Sequence, residues 1–139
     1  MGSLSAAASL QLRVEFHGIL LGRPTDLLID TDGWHVLGYV VHCGDESVRF
    51  LPYAAAQTSE TEIAVASALM LLEDVEFYEK RATSFRSLLG GEVGRKGILR
   101  DVYIGAGGAI TELAVERDGA LRRVPAAGQT IAPPRLSAA

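Results

Sequence analysis

Gly22-Arg23-Pro24-Thr25-Asp26-Leu27-Leu28-Ile29-Asp30-Thr31-Asp32-Gly33-Trp34-His35-Val36-Leu37-Gly38-Tyr39-Val40-Val41 places two apolar runs on either side of an Asp-Gly pair. Such a pair accommodates the positive φ angles that tight hairpin turns require, so the stretch reads as two antiparallel strands. Seventy-five residues later, Gly97-Ile98-Leu99-Arg100-Asp101-Val102-Tyr103-Ile104-Gly105-Ala106-Gly107-Gly108-Ala109-Ile110 leads into an apolar run through Val115. At that constant offset Gly22 matches Gly97, Asp26 matches Asp101, Ile29 matches Ile104, Gly33 matches Gly108 and Val40 matches Val115. The register points to an internal duplication.

Both copies continue through a second turn, Gly44-Asp45 or Asp118-Gly119, into a short strand ending at Arg49-Phe50-Leu51-Pro52 or Arg123-Val124-Pro125. Each copy is therefore a three-strand meander. Residues 34–43 and 48–51 are apolar at both parities, which implies strands buried on both faces or wrapped into a small barrel. Ahead of the first copy, Leu10, Leu12, Val14 and Phe16 alternate with Gln11, Arg13 and Glu15 as in a half-buried strand, and residues 61–65 add another.

Between the copies, Val75, Tyr78, Ala82, Phe85 and Leu89 recur at helical spacing, with acids at the start, Lys80, Arg81 and Arg86 later, and Gly90-Gly91 as a stop. One amphipathic helix over 74–89 is expected. The organisation is then a flexible tail at 1–9, a first β unit at 10–73, the helix, a shorter β unit at 90–127, and a disordered tail at 128–139.

Composition sets outer limits. The 139 residues are 48% hydrophobic and 22% charged, as in ordinary globular proteins. Cys43 stands alone, so no internal disulfide forms, and a cytoplasmic setting is the default expectation. The longest near-apolar run, residues 63–72, falls short of the roughly 20 residues of a membrane-spanning helix. No membrane insertion is expected.

Charge is polarised along the chain. Residues 1–79 carry three arginines against twelve acids, a net of −9, and residues 80–139 carry ten Lys and Arg against five acids, a net of +5. The two halves either attract each other, within one chain or between protomers, or the basic half meets an acidic surface or nucleic acid.

The pattern Gly-x3-Asp-(Leu/Val)-x-Ile-x3-Gly, followed by an apolar strand and a strand ending in Pro, resembles the PRC-barrel family, as does the turn Leu89-Gly90-Gly91-Glu92-Val93-Gly94-Arg95-Lys96-Gly97. The resemblance implies a mainly β protein with two small antiparallel PRC-barrel-like units. Such barrels occur in the cytoplasmic part of the photosynthetic reaction-centre H subunit and in ribosome-maturation factors of the RimM type. It implies a docking or regulatory module without shared catalytic residues, an enzyme being the remote reading.

The residues themselves point the same way. His35 and His42 have opposite strand parity, as do His42 and Cys43, so they do not converge on a metal, and no cofactor is implied. Gly105-Ala106-Gly107-Gly108 lacks the third glycine and the following helix of a dinucleotide loop. Gly22, Asp26, Gly33, Gly97, Asp101 and Gly108 read as structural turn and strand-start positions, the two aspartates accepting backbone N–H bonds.

Candidate partner-binding residues are the basic set Arg86, Arg95, Lys96, Arg100, Arg122 and Arg123, and Trp34, which beside the first hairpin turn either anchors a partner or covers the end of the barrel. The leading expectation is a non-enzymatic module that docks onto a protein partner, with self-association into a homodimer as a further expectation. The alternative is an RNA- or ribosome-associated maturation factor binding through the basic second unit. Against it, Tyr103 is the only aromatic near those basic residues, too few for a base-stacking platform.

Overall fold

The computed structural model describes residues 3–134. In chain order its elements are β1 (Leu4–Ser5), α1 (Ala6–Ser9), β2 (Val14–Phe16), β3 (Ile19–Asp30), β4 (His35–Cys43), β5 (Val48–Pro52), β6 (Ala56–Thr58), β7 (Ile63–Val65), α2 (Val75–Glu79), β8 (Thr83–Ser84), α3 (Phe85–Leu88), β9 (Glu92–Val93), β10 (Ile98–Ile104), β11 (Ile110–Arg117), β12 (Ala120–Pro125) and β13 (Ile131–Ala132). Strands dominate and form two sheets, with a curled half-barrel among them. The first sheet runs β5-β4-β3-β2-β7-β6 with β8 also on β3, and the second runs β12-β11-β10-β9-β13 with β1 also on β10.

The two meanders, β3-β4-β5 and β10-β11-β12, are antiparallel throughout. At the second hairpin of the second meander Asp118 (φ 54°) and Gly119 (φ 79°) take the positive angles that a two-residue turn demands. The first hairpin differs from its expected form. Gly33 is not left-handed; instead Asp30 Oδ1 accepts the backbone N–H of Asp32 at 2.9 Å and of Gly33 at 3.4 Å, and the chain reverses at Trp34 (φ 49°). The left-handed counterpart across the molecule is Gly108 (φ 87°).

Strand register also changes which positions of the two meanders correspond. Asp26 lies opposite Val40 and Asp101 opposite Ala114, so beyond the hairpin the equivalent positions are 74 apart rather than 75. Val40 and Val115 are alike in sequence but not in place. Gly22 and Gly97, before the turn, are both sites of close approach: a Cβ on Gly22 would press on the His42 carbonyl oxygen, and one on Gly97 on that of Glu116.

The helix expected over 74–89 is two short ones. Asp74 caps α2 by accepting the Phe77 N–H at 3.2 Å, and α2 ends at Glu79. Thr83–Ser84 then extends to pair with Ile29 and Leu28 of β3, and Ser84 caps α3. Edge pairing and a new N-cap outweigh a helical pattern whose apolar face never had to be continuous.

Both expected tails are structured where described. Ser5 caps α1, and Ala6, Ser9 and Leu10 are buried, so Leu10 belongs to a helix end and the strand expected from residue 10 begins only at Val14. Past residue 128, Ile131 and Ala132 pair with Val93 and Glu92. Residues 1–2 and 135–139 of the two expected tails lie outside the described residues.

One hydrophobic core joins both sheets. It runs from Ala6 and Leu10 through Leu27, Ile29, Trp34, Tyr39 and Leu51 to Phe85, Leu99, Val102, Leu113 and Val124. The sheets meet where His35 bridges Ala109 and the Ile110 N–H donates to the Trp34 carbonyl at 2.7 Å. As its apolar pattern implies, β4 is covered on both faces. Val40 turns away from the main core into a smaller cluster with Leu28, Phe50 and Val75, roofed by α2, where Tyr78 stacks on Phe50 at 3.9 Å between ring centroids.

Candidate interaction surface

Asp26 and Asp101 each organise a contact between distant parts of the chain. Asp26 Oδ1 accepts the N–H of Leu27 at 2.8 Å and of Arg86 at 3.1 Å, and Oδ2 accepts the Ser84 hydroxyl. Asp101 Oδ1 accepts the N–H of Val102 at 2.8 Å and of Ala7 at 3.0 Å, and Oδ2 accepts the Ser5 hydroxyl. Each serine in turn accepts a helix N–H, Ser87 at 3.2 Å or Ala8 at 3.1 Å. Thus β1–α1 seals the second meander and β8–α3 seals the first. With three donors apiece, both carboxylates serve the fold.

Trp34 is 6% exposed, its ring in the shared core and its carbonyl on Ile110. It is not presented to a partner. Its left-handed backbone at the hairpin tip has no signature in the sequence.

The six basic candidates do not form one free cluster. Arg86 Nε donates to the Thr25 carbonyl, and Lys96 Nζ to Gln129 Oε1 at 3.2 Å. Arg100 Nε lies 3.1 Å from Glu116 Oε1. Arg123 lies over the Tyr103 ring at 3.6 Å, 3.2 Å from Glu112 Oε1, and donates to Ser3 Oγ at 2.7 Å. Arg95 and Arg122 are exposed and form no ion pair among the described residues. Every ion pair among the described residues joins side chains of the same half, so the acidic and basic halves are not held together by direct pairing.

Cross-strand partners share a face, and the outer face of the second meander carries Tyr103, Glu112, Glu116, Leu121 and Arg123. Leu121 is 61% exposed there, with Ile98 beside it on the same face. On the equivalent face of the first meander α2 roofs Leu28, Val40 and Phe50, while Val48, the counterpart of Leu121, is exposed. The open face of the second meander joins apolar side chains to paired charges, a composition suited to protein contact. Sequence reasoning found its arginines but missed Leu121, Ile98 and the two glutamates, whose significance comes only from register.

Chemistry elsewhere is sparse. No three His, Cys, Asp or Glu side chains among the described residues gather as a metal site. His35 Nδ1 lies 3.8 Å from Asp30 Oδ2. Cys43 is buried, and that burial pushes its thiol pKa up. Among the described residues no helix is long and apolar enough to cross a membrane. Compared with family models and with curated proteins, the chain matches none.

Proposed function

We propose that this protein is a non-enzymatic interaction module of PRC-barrel type, built from a repeated β unit, that docks onto a protein partner through the outer face of β10–β12. The observation that carries this reading is the contrast at equivalent positions of the two faces: α2 roofs Phe50 in the first meander, whereas its counterpart Arg123 lies exposed over Tyr103 in the second, on a face that also exposes Leu121 and Ile98 around paired charges. The alternative of an RNA- or ribosome-associated factor is less well supported, because Glu112 and Glu116 stand among the arginines and would meet approaching phosphates.

The test is affinity capture with the full chain and with Leu121→Asp. The reading expects a stoichiometric protein partner that the wild type retains at high salt and the variant loses. Capture of nucleic acid alone, released by salt and indifferent to Leu121→Asp, would transfer the function to the RNA reading.

A further inference from the structure

The outer edge of the first meander is occupied by the chain itself. Phe50 on β5 exchanges two main-chain hydrogen bonds with Leu72, each 2.8 Å, and one residue on Glu73 reaches Arg49 at 3.4 Å. The segment then turns into α2, whose Val75 and Tyr78 cover the sheet.

Register identifies the same positions in the second meander. Phe50 lies opposite Val40 and Arg123 opposite Ala114; Arg49 lies opposite Val41 and Arg122 opposite Val115. Arg122 therefore stands where Arg49 stands, without an acid beside it among the described residues. Among the described residues β12 is the terminal strand of its sheet. Because Asp118 and Gly119 close a two-residue turn, the alternation of an antiparallel ladder directs the N–H and C=O of Leu121 and Arg123 away from β11. Those are the groups by which Phe50 holds Leu72.

We propose that β12 is a strand acceptor for an acidic segment of a partner protein. One extended residue pairs with the main chain at Arg123, and a carboxylate on the next residue reaches Arg122, as Leu72 and Glu73 do at Phe50 and Arg49. Main-chain bonds supply the register and the arginine selects for acid. The inference rests on the docking reading above and names the chemistry of its partner.

The probe is a synthetic peptide with the sequence of residues 69–79, titrated into the full chain while amide hydrogen exchange is followed residue by residue. Saturable binding that slows exchange at Leu121 and Arg123, and weakens about fivefold or more in Arg122→Glu, is the expected result. A peptide with lysine in place of its acids should not bind. No protection on β12, protection at Phe50 instead, or indifference to Arg122→Glu overturns the proposal. So does protection of β12 without peptide in a chain of doubled mass, which assigns the edge to a second copy. If the peptide fails while Leu121→Asp still abolishes partner capture, the strand acceptor falls and the docking module stands.

Discussion

Asp26 and Asp101 show how much of this molecule depends on single carboxylates. Each accepts from the next backbone N–H, from a helix N–H and from a serine hydroxyl far away in sequence. Alanine at either position leaves those donors unpaired and should cost about 1–3 kcal/mol in urea unfolding, with similar losses at the two sites. A general acid or base would instead lose activity with little loss of stability. The aspartates are legible in the sequence because they share the 75-residue offset that separates Gly22 from Gly97 and Ile29 from Ile104. Their serine partners are not: Ser84 follows Asp26 by 58 residues, whereas Ser5 precedes Asp101 by 96. Trp34 is a case between the two: its place beside a hairpin turn fits either a partner anchor or a cover for the barrel end, and the structure buries it in the shared core.

Elements were legible where local chemistry alone determines them. Flanking β-branched residues with Asp118-Gly119 suffice for β11 and β12, whatever the rest of the chain does. The region 74–89 is the opposite case. Its apolar residues at spacings of three and four serve separate tasks: Val75 and Tyr78 roof Phe50, while Phe85 fills the shared core. A period shared by two elements is indistinguishable from one belonging to a single helix. The same blindness hid β1–α1, too short to show any period and held in place by β10 and the shared core. Removing residues 1–10 should therefore destabilise the protein by at least about 3 kcal/mol, through the lost Leu10 packing and the Ser5–Asp101 bond. Thermal unfolding measures it, and a change within error would show that this segment only rests on the surface.

At the scale of the whole molecule, a core continuous across both sheets predicts one unfolding transition, not two. Circular dichroism and tryptophan fluorescence should trace coincident curves. Alkali should weaken that transition. Burial raises the pKa of Tyr39 above 10.0, although the Thr58 hydroxyl 3.2 Å away partly opposes the shift. The unfolded phenol ionises near pH 10, so the stabilisation is complete below that and is lost as pH rises toward the higher folded value. Tyr39→Phe should flatten the decline in stability between pH 9 and pH 11, and an unchanged decline would assign it to other groups. The crossed seating of β1–α1 also governs how the molecule is made. Ser5 leaves the ribosome 96 residues ahead of the aspartate that seats it, an interval of roughly 5–20 s at ordinary synthesis rates. Through that interval Ser5 has no carboxylate to bind, so the nascent chain reaches its final form only after most of the protein has been synthesised, and the earliest residues are among the last to settle.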